Sequence, residues 1–334
     1  MTVEYHDDLN EVQGDPVLAR LLNAPAAAAP FDRLAWWRAL AEECGVRPLL
    51  VVARQGDDRV ILPLRQEHGD LQELGNWYSF RAKPIVSPGA DALALLSTIA
   101  REIDHRTGRL VLAKVPEDDA ALLAEAFRAA GWFATMTPCD VNHILRVGGR
   151  SYADYLAGRP GQVRTTLKRK AAKVEVRLFD RFDEDAWDAY EAIYAQSWKP
   201  SEGSPAFLRR FALEEGAAGR MRFALALAGG KPVAAQFWTV EACTAFIHKL
   251  AHTEEAKPLS PGTTLSAALF ERVIDGDKVA MVDFGTGNDG YKRDWMEEVR
   301  TRYRIELLRP LRPENWPRIA KAGLRRLAQG AGHG

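Results

Sequence analysis

At 334 residues, 47% of them hydrophobic, the chain has enough apolar material for about two packed domains. Its 45 Lys+Arg balance 45 Asp+Glu, so it lacks the basic surplus of a dedicated nucleic-acid binder, and no nucleic-acid partner is expected. The three scattered cysteines (Cys44, Cys139, Cys243) exclude a disulfide framework, the acidic N-terminus excludes a signal peptide, and no run reaches the ~18 apolar residues of a membrane span; a cytoplasmic protein is expected.

Strand and helix signals alternate, which predicts a mixed α/β fold. In the first half, helices are expected over 34–44, 90–103 and 119–130. Strands are expected over 49–53, 60–64 and 110–115, with at least one more within 132–145. Val147-Gly148-Gly149-Arg150 reads as a linker. The second half is expected to run strand 174–179, helices 185–198 and 206–215, and strands 221–228, 231–240 and 243–251. Helix 263–274, strand 279–284, helix 291–298 and strand 303–308 complete the order β-α-α-β-β-β-α-β-α-β. Gly229-Gly230 marks a hairpin turn.

A weak repeat links the halves. Lys83-Pro84 through Ser87-Pro88-Gly89 precedes a helix and then RLVLAKV; Lys257-Pro258-Leu259-Ser260-Pro261-Gly262 precedes a helix and then KVAMVDF. The expected domains are 1–147, 151–310 and a basic amphipathic tail, 311–334. In the tail, Trp316, Ile319 and Leu327 share a helical face flanked by Arg318, Lys321, Arg325 and Arg326, a pattern that suits packing or an anionic membrane at the inner face.

Two stretches can carry chemistry. Ser260-Pro261-Gly262-Thr263-Thr264 opens a helix, and a helix N-terminus offers unpaired N–H groups and partial positive charge to a phosphate. Strand 279–284 delivers Asp283 at its C-terminal end, followed by a Gly-rich turn and then Tyr291 and Lys292, an arrangement suited to acid–base work. Gly285 to Gly290 spells GxGxxG, but too little chain follows for a dinucleotide fold. His248 and His252 lie on or beside a strand, where a spacing of four does not build a metal site, and no metal is expected. The basic run from Arg164 to Lys173 reads as a solvated face or a clamp for an anion.

These residues carry a family resemblance. Ser197-Trp198-Lys199, Lys249-Leu250-Ala251-His252, Ser260-Pro261-Gly262, Asp283-Phe284-Gly285, Tyr291-Lys292 and Trp295 resemble the GNAT acyltransferases, in the branch called cellulose-biosynthesis-protein-like. That branch is related to the peptidoglycan-bridge aminoacyltransferases. The resemblance covers about half the chain, and the repeat extends it to a degenerate first copy. His252 stands where the branch usually has Tyr, and the Gly- and Arg-rich phosphate loop is absent.

The resemblance implies tandem GNAT-like domains, each a mixed sheet flanked by helices. It implies transfer of an acyl group from acyl-CoA or an acyl carrier protein to a primary amine: a lipid amine such as a sphingoid base, an amino sugar or an amino acid. No permanently bound cofactor is implied. Strands 243–251 and 279–284 would splay around the thioester, with a Leu250 or Ala251 N–H polarising its carbonyl. Asp283 would be the base, with His248 and His252 behind it, and Tyr291 would protonate the thiolate. Lys249 and Lys292 would hold an anionic group or pair with Asp283. Ser260, Gly262, Thr263 and Thr264 would hold the donor, and Trp198, Gln236 and Lys292 the substrate. The competing readings are aminoacyl transfer from charged tRNA and a non-catalytic GNAT-like module in envelope polysaccharide synthesis.

Overall fold

A computed structural model describes residues 1–23, 25–67 and 70–331, with side chains of the last helix up to Leu324. The chain divides into two compact units: residues 1–27, 31–140 and 301–334, and residues 28–30 and 141–300.

The first unit holds β1 (Thr2–His6), α1 (Leu9–Gly14), α2 (Pro16–Leu21), α3 (Leu34–Cys44), β2 (Pro48–Gln55), β3 (Asp58–Glu67), β4 (Asp70–Glu73), β5 (Ile85–Val86), α4 (Ala92–Glu102), β6 (Arg109–Pro116), α5 (Glu117–Ala129) and the start of β7 (Phe133–Arg146). The second continues from β7 through α6 (Tyr152–Ala157), α7 (Gly161–Lys170), β8 (Glu175–Phe179), α8 (Glu184–Ala195), α9 (Pro205–Ala217), β9 (Met221–Ala228), β10 (Lys231–Glu241), β11 (Thr244–His252), α10 (Pro261–Glu271), β12 (Met281–Thr286) and α11 (Gly290–Trp295). Strand β13 (Glu298–Leu308) then carries the chain back to the first unit, which ends in α12 (Trp316–Ala331).

The two units share one pairing scheme. In the first, β1, β2, β3 and β4 pair antiparallel in turn, β4 pairs parallel with β6, and β6 pairs antiparallel with β13. In the second, β8, β9, β10 and β11 pair antiparallel in turn, β11 pairs parallel with β12, and β12 pairs antiparallel with β7. Each unit therefore takes its last strand from the distant part of the sequence. This moves the boundary away from the one expected at 148–150: it falls inside β7, and residues 301–310 belong to the first unit because β13 pairs with β6.

Each sheet buries a large apolar cluster against its helices. In the first unit, Leu62, Leu96, Leu112, Leu123 and Phe127 are fully buried together; in the second, Trp238, Leu265, Phe270, Val273 and Val282 are. Ser260 and Gly89 mark the corresponding turns of the repeat, and both take positive φ (53° and 82°) before α10 and α4. Helix α11 stops at Trp295, short of the expected 298. Glu297 is drawn out of it: its N–H donates to the Ile144 carbonyl, and its carboxylate meets Arg150 and the buried Arg159. Helix α8 likewise ends at Ala195, which leaves Trp198 on a loop.

Trp316 is exposed, and its indole N–H donates to the Pro310 carbonyl. The side chains of Arg325, Arg326 and Leu327, on which the amphipathic reading of the tail depends, lie outside the described residues. Among the described residues no helix is long and apolar enough to cross a membrane.

Helix α9 packs so closely on the α8 approach that a Cβ on Gly216 would lie 2.5 Å from the Phe182 backbone nitrogen. Backbone cannot yield as a side chain can. Gly216→Ala is therefore expected to cost about 1–3 kcal/mol, read as a lower urea midpoint with unchanged slope.

Candidate active site

Strand β11 organises the second unit's chemistry. It pairs with β12 over only three residues, Thr244–Phe246 against Met281–Asp283, and the ladder ends there while β11 runs on to His252. Along its other edge β11 carries a bulge: Ile247 faces Trp238 and Lys249 faces Phe237, so His248 is the extra residue. The bulge puts His248 and Lys249 on the α8–α9 side and Leu250 and His252 on the α10 side. His248 packs against Phe211 and Phe237, and its Nε2 lies 2.8 Å from Thr239 Oγ1.

On the α10 side lies a cavity of about 260 Å³, lined by Trp198, Gln236, Leu250, His252, Lys257, Ser260, Pro261, Gly262, Thr263, Ser266, Tyr291 and Trp295. Most of the sequence-predicted donor loop is here, although Thr264 and Ala251 are buried behind the lining. Pro261 occupies the first turn of α10, so the N–H groups of Gly262 and Thr263 are among those a helix cannot satisfy internally. Ser260 adopts a left-handed conformation (φ 53°, ψ 47°), uncommon for a residue with a Cβ, and Lys170 Nζ on α7 donates to its Oγ (3.0 Å). Gln236 is 1% exposed and holds this turn: its Nε2 donates to the Gly262 carbonyl and Ser266 Oγ (both 2.9 Å), while Trp238 Nε1 donates to its Oε1 (3.0 Å).

His252 is set for one tautomer. Its Nδ1 lies 2.9 Å from the Thr253 carbonyl, which can only accept, so in the neutral ring Nδ1 carries the proton and the lone pair is on Nε2. The ring stacks on Trp198 (centroids 4.4 Å apart), and its Cδ2 edge faces Gly262, 3.9 Å from where a Cβ would stand. Tyr291 lines the same cavity, its ring edge-on to Phe284. Burial, then Asp289, pushes its phenol up to about 12, so it stays protonated at neutral pH.

Three expected site residues are engaged elsewhere. Asp283 is 4% exposed and does not line the cavity. Its Oδ1 accepts from Asn142 Nδ2 (2.7 Å) and the Gly285 N–H (2.8 Å), and Arg300 lies 3.7 Å from Oδ2. Lys292 is buried under the Gly-rich turn, donating to the Thr286 carbonyl and facing Asp289. Lys249 pairs with Glu202 (2.7 Å) on the α8–α9 side. Sequence reasoning missed Lys257 and Ser266 as lining residues, and Lys170 as the partner of Ser260.

A second cavity, about 420 Å³, opens on the α8–α9 side between Tyr190, Glu191, Tyr194, Lys199, Glu202, Pro205 and Leu208 among others. The two cavities adjoin along the chain, since Trp198 lines the first and Lys199 the second.

Residues 150–293 match the family described as an acetyltransferase (GNAT) domain. Among solved structures, the chain is similar to FemX (10% identity, TM-score 0.61, covering 91% of this chain and 97% of that one). It is similar to L-PGS from Bacillus licheniformis (12%, 0.58, 92% and 93%) and to a tandem GNAT protein from the clavulanic acid biosynthesis pathway (14%, 0.53, 92% and 98%). Comparison with curated proteins gave no match. The solved structures share the fold across nearly the whole chain, and the family match marks its second unit. Residues 150–293 match a GNAT acetyltransferase domain, and the chain as a whole has the tandem GNAT-like fold.

Proposed function

We propose that the chain N-acylates a primary amine from acyl-CoA, with the donor on the α10 side of β11 and the acceptor on the α8–α9 side. One observation carries the reading: beyond the point where β11 parts from β12, its Leu250 and His252 line a cavity that also holds a helix N-terminus. The donor's phosphates would meet the Gly262 and Thr263 N–H groups, Lys170 and Lys257. Its thioester would lie in the gap between the strands, where the Leu250 or Ala251 N–H would polarise the carbonyl. His252 Nε2 takes the proton from the acceptor ammonium. The freed amine attacks the thioester carbon, the C–S bond breaks, and the departing thiolate, hydrogen-bonded by Tyr291, takes up the second proton that the new amide nitrogen sheds. Asp283 is a positioning residue for the Gly-rich turn in this scheme.

Gly262 tests the donor side. A Cβ there meets nothing closer than 3.9 Å, so Gly262→Ala is expected to bind CoA normally. Gly262→Asp sets a negative charge at the phosphate site and is expected to weaken CoA binding roughly tenfold by calorimetry, while an acid in a helix's first turn leaves folding intact. Unchanged CoA affinity in the Asp variant removes this loop from the donor site.

A second donor is favoured by helix α7 and the turn after it, where Arg164, Lys168 and Arg169 on the helix that delivers Lys170 to Ser260, and Lys173 just beyond it, are exposed. Such a strip suits a long polyanion, and a putative lysylphosphatidylglycerol synthetase domain from Agrobacterium fabrum is among the structures of similar fold (12% identity, TM-score 0.54, covering 81% of this chain and 87% of that one). Aminoacyl transfer from charged tRNA is the corresponding reading. Intact-mass analysis of pooled amines offered acyl-CoA, acyl carrier protein thioester or charged tRNA separates the donors. Product from charged tRNA alone overturns the acyl-CoA assignment.

A further inference from the structure

We infer that the cavity on the α8–α9 side selects an amine acceptor that also bears a carboxylate and an apolar body, with Lys199 pairing the carboxylate. The inference rests on the reading of that cavity as the acceptor side and names the acceptor's class.

The charges of the cavity wall lead to it. Glu202 meets the Lys249 ammonium through both oxygens (2.7 and 2.9 Å). Glu191 accepts from Arg209 (2.8 Å) and from the Trp187 indole N–H (2.9 Å). Each lining carboxylate is thus engaged by a cation from behind the wall, Lys249 for Glu202 and Arg209, which also holds Glu184 and Asp188, for Glu191. Lys199 is not: among the described residues, no carboxylate lies at ion-pairing distance from its Nζ, whose nearest described partner is the Trp198 ring, 5.7 Å to the centroid. Burial, and then repulsion from Lys249, push its ammonium down to about 8. A half-buried cation facing another cation is what a bound anion relieves.

The class of anion follows from the lining. Lys199 is the one cation among the described lining residues, and it stands beside Glu191 and Glu202, so a singly charged carboxylate fits better than a phosphate dianion, which would set two negative charges next to those acids. The rest of the lining, Tyr190, Tyr194, Pro205 and Leu208, supplies rings and aliphatic surface for an apolar body. A volume of about 420 Å³ suits a molecule of amino-acid size. Lys199 follows Trp198, whose ring packs at a tilt on the His252 ring, so the chain itself links this cavity to the proposed base.

Direct binding tests this without any acyl donor. Calorimetry on the full chain would compare L-phenylalanine with phenethylamine, L-tyrosine with tyramine, and L-leucine with isoamylamine. Within at least one pair the carboxylate member is expected to bind about tenfold to a hundredfold more tightly. Lys199→Gln should erase that advantage and Lys199→Arg should keep it. The carboxylate stabilises the charged lysine, so at pH 8 binding should take up protons, seen as a heat that depends on the buffer, and the advantage should shrink as pH rises above 8. Lys199→Gln should abolish the proton uptake. If no pair shows a difference, or the difference survives Lys199→Gln, the inference is overturned. A failure of CoA to bind would instead strike the donor reading and leave these affinities unchanged.

Discussion

His252→Gln is expected to lower kcat by about 10²–10⁴-fold while leaving the melting temperature and CoA affinity close to those of the parent. The size follows from the role. A positioned base spares the free amine from being drawn out of a small unprotonated fraction, and glutamine has no basic lone pair to replace it. Folding should survive because the imidazole touches the edge of the site: it stacks on the half-exposed Trp198 and donates one hydrogen bond to the neighbouring Thr253 carbonyl. Tyr291→Phe is expected to cost less. A phenol near 12 gives up its proton to a thiolate only uphill, so its contribution is a hydrogen bond to developing charge. The pairing of a large loss at His252 with a smaller one at Tyr291 is what kinetics under saturating acceptor would check. Turnover within a factor of two of the parent in His252→Gln removes the imidazole from the proton path.

The sequence made the second unit's order readable because each of its elements obeys a single period. Strands β9, β10 and β11 are apolar runs joined by a Gly-Gly hairpin and a second tight turn, and α8 shows its apolar face every three to four residues. The tandem fold was legible from the Ser-Pro-Gly repeat and from the family resemblance. Other features depend on contacts that no local pattern encodes. The bulge at His248 is one: simple alternation puts His248, Leu250 and His252 on one face, and the extra residue sends His248 to the opposite side. The exchange of β7 and β13 between units is another, since it depends on pairing across more than 130 residues: Val282 with Leu145 and Leu307 with Leu110. Lys170 and Ser260, 90 positions apart, meet only once α7 docks beside α10. The short α1 and α2 were missed because six residues hold too little periodicity to read.

Asp283 shows how a strand-end acid can resemble a base, and its variants separate the two roles. The carboxylate satisfies the buried Asn142 amide and the Gly285 N–H, with Arg300 close by, and Arg300 in turn donates to Asn142 Oδ1 (2.9 Å). Gly285 (φ 65°) and Gly287 (φ 92°) make the turn that carries the chain to Tyr291, so this network fixes where the phenol stands. Asp283→Ala would leave two buried donors unmatched and remove the anion beside Arg300. The expected cost is about 3–5 kcal/mol, read as a large fall in the denaturant midpoint. Asp283→Asn keeps an acceptor of the same shape at Oδ1 and loses only the charge, so it should cost about 1–2 kcal/mol and retain most of kcat. A catalytic base gives the opposite pattern: the Asn variant would fold as well as the parent and lose turnover by about 10²–10⁴-fold. Measuring stability and kcat on both variants therefore assigns the proton to Asp283 or to His252, and the closed hydrogen bonding around Asp283 favours His252.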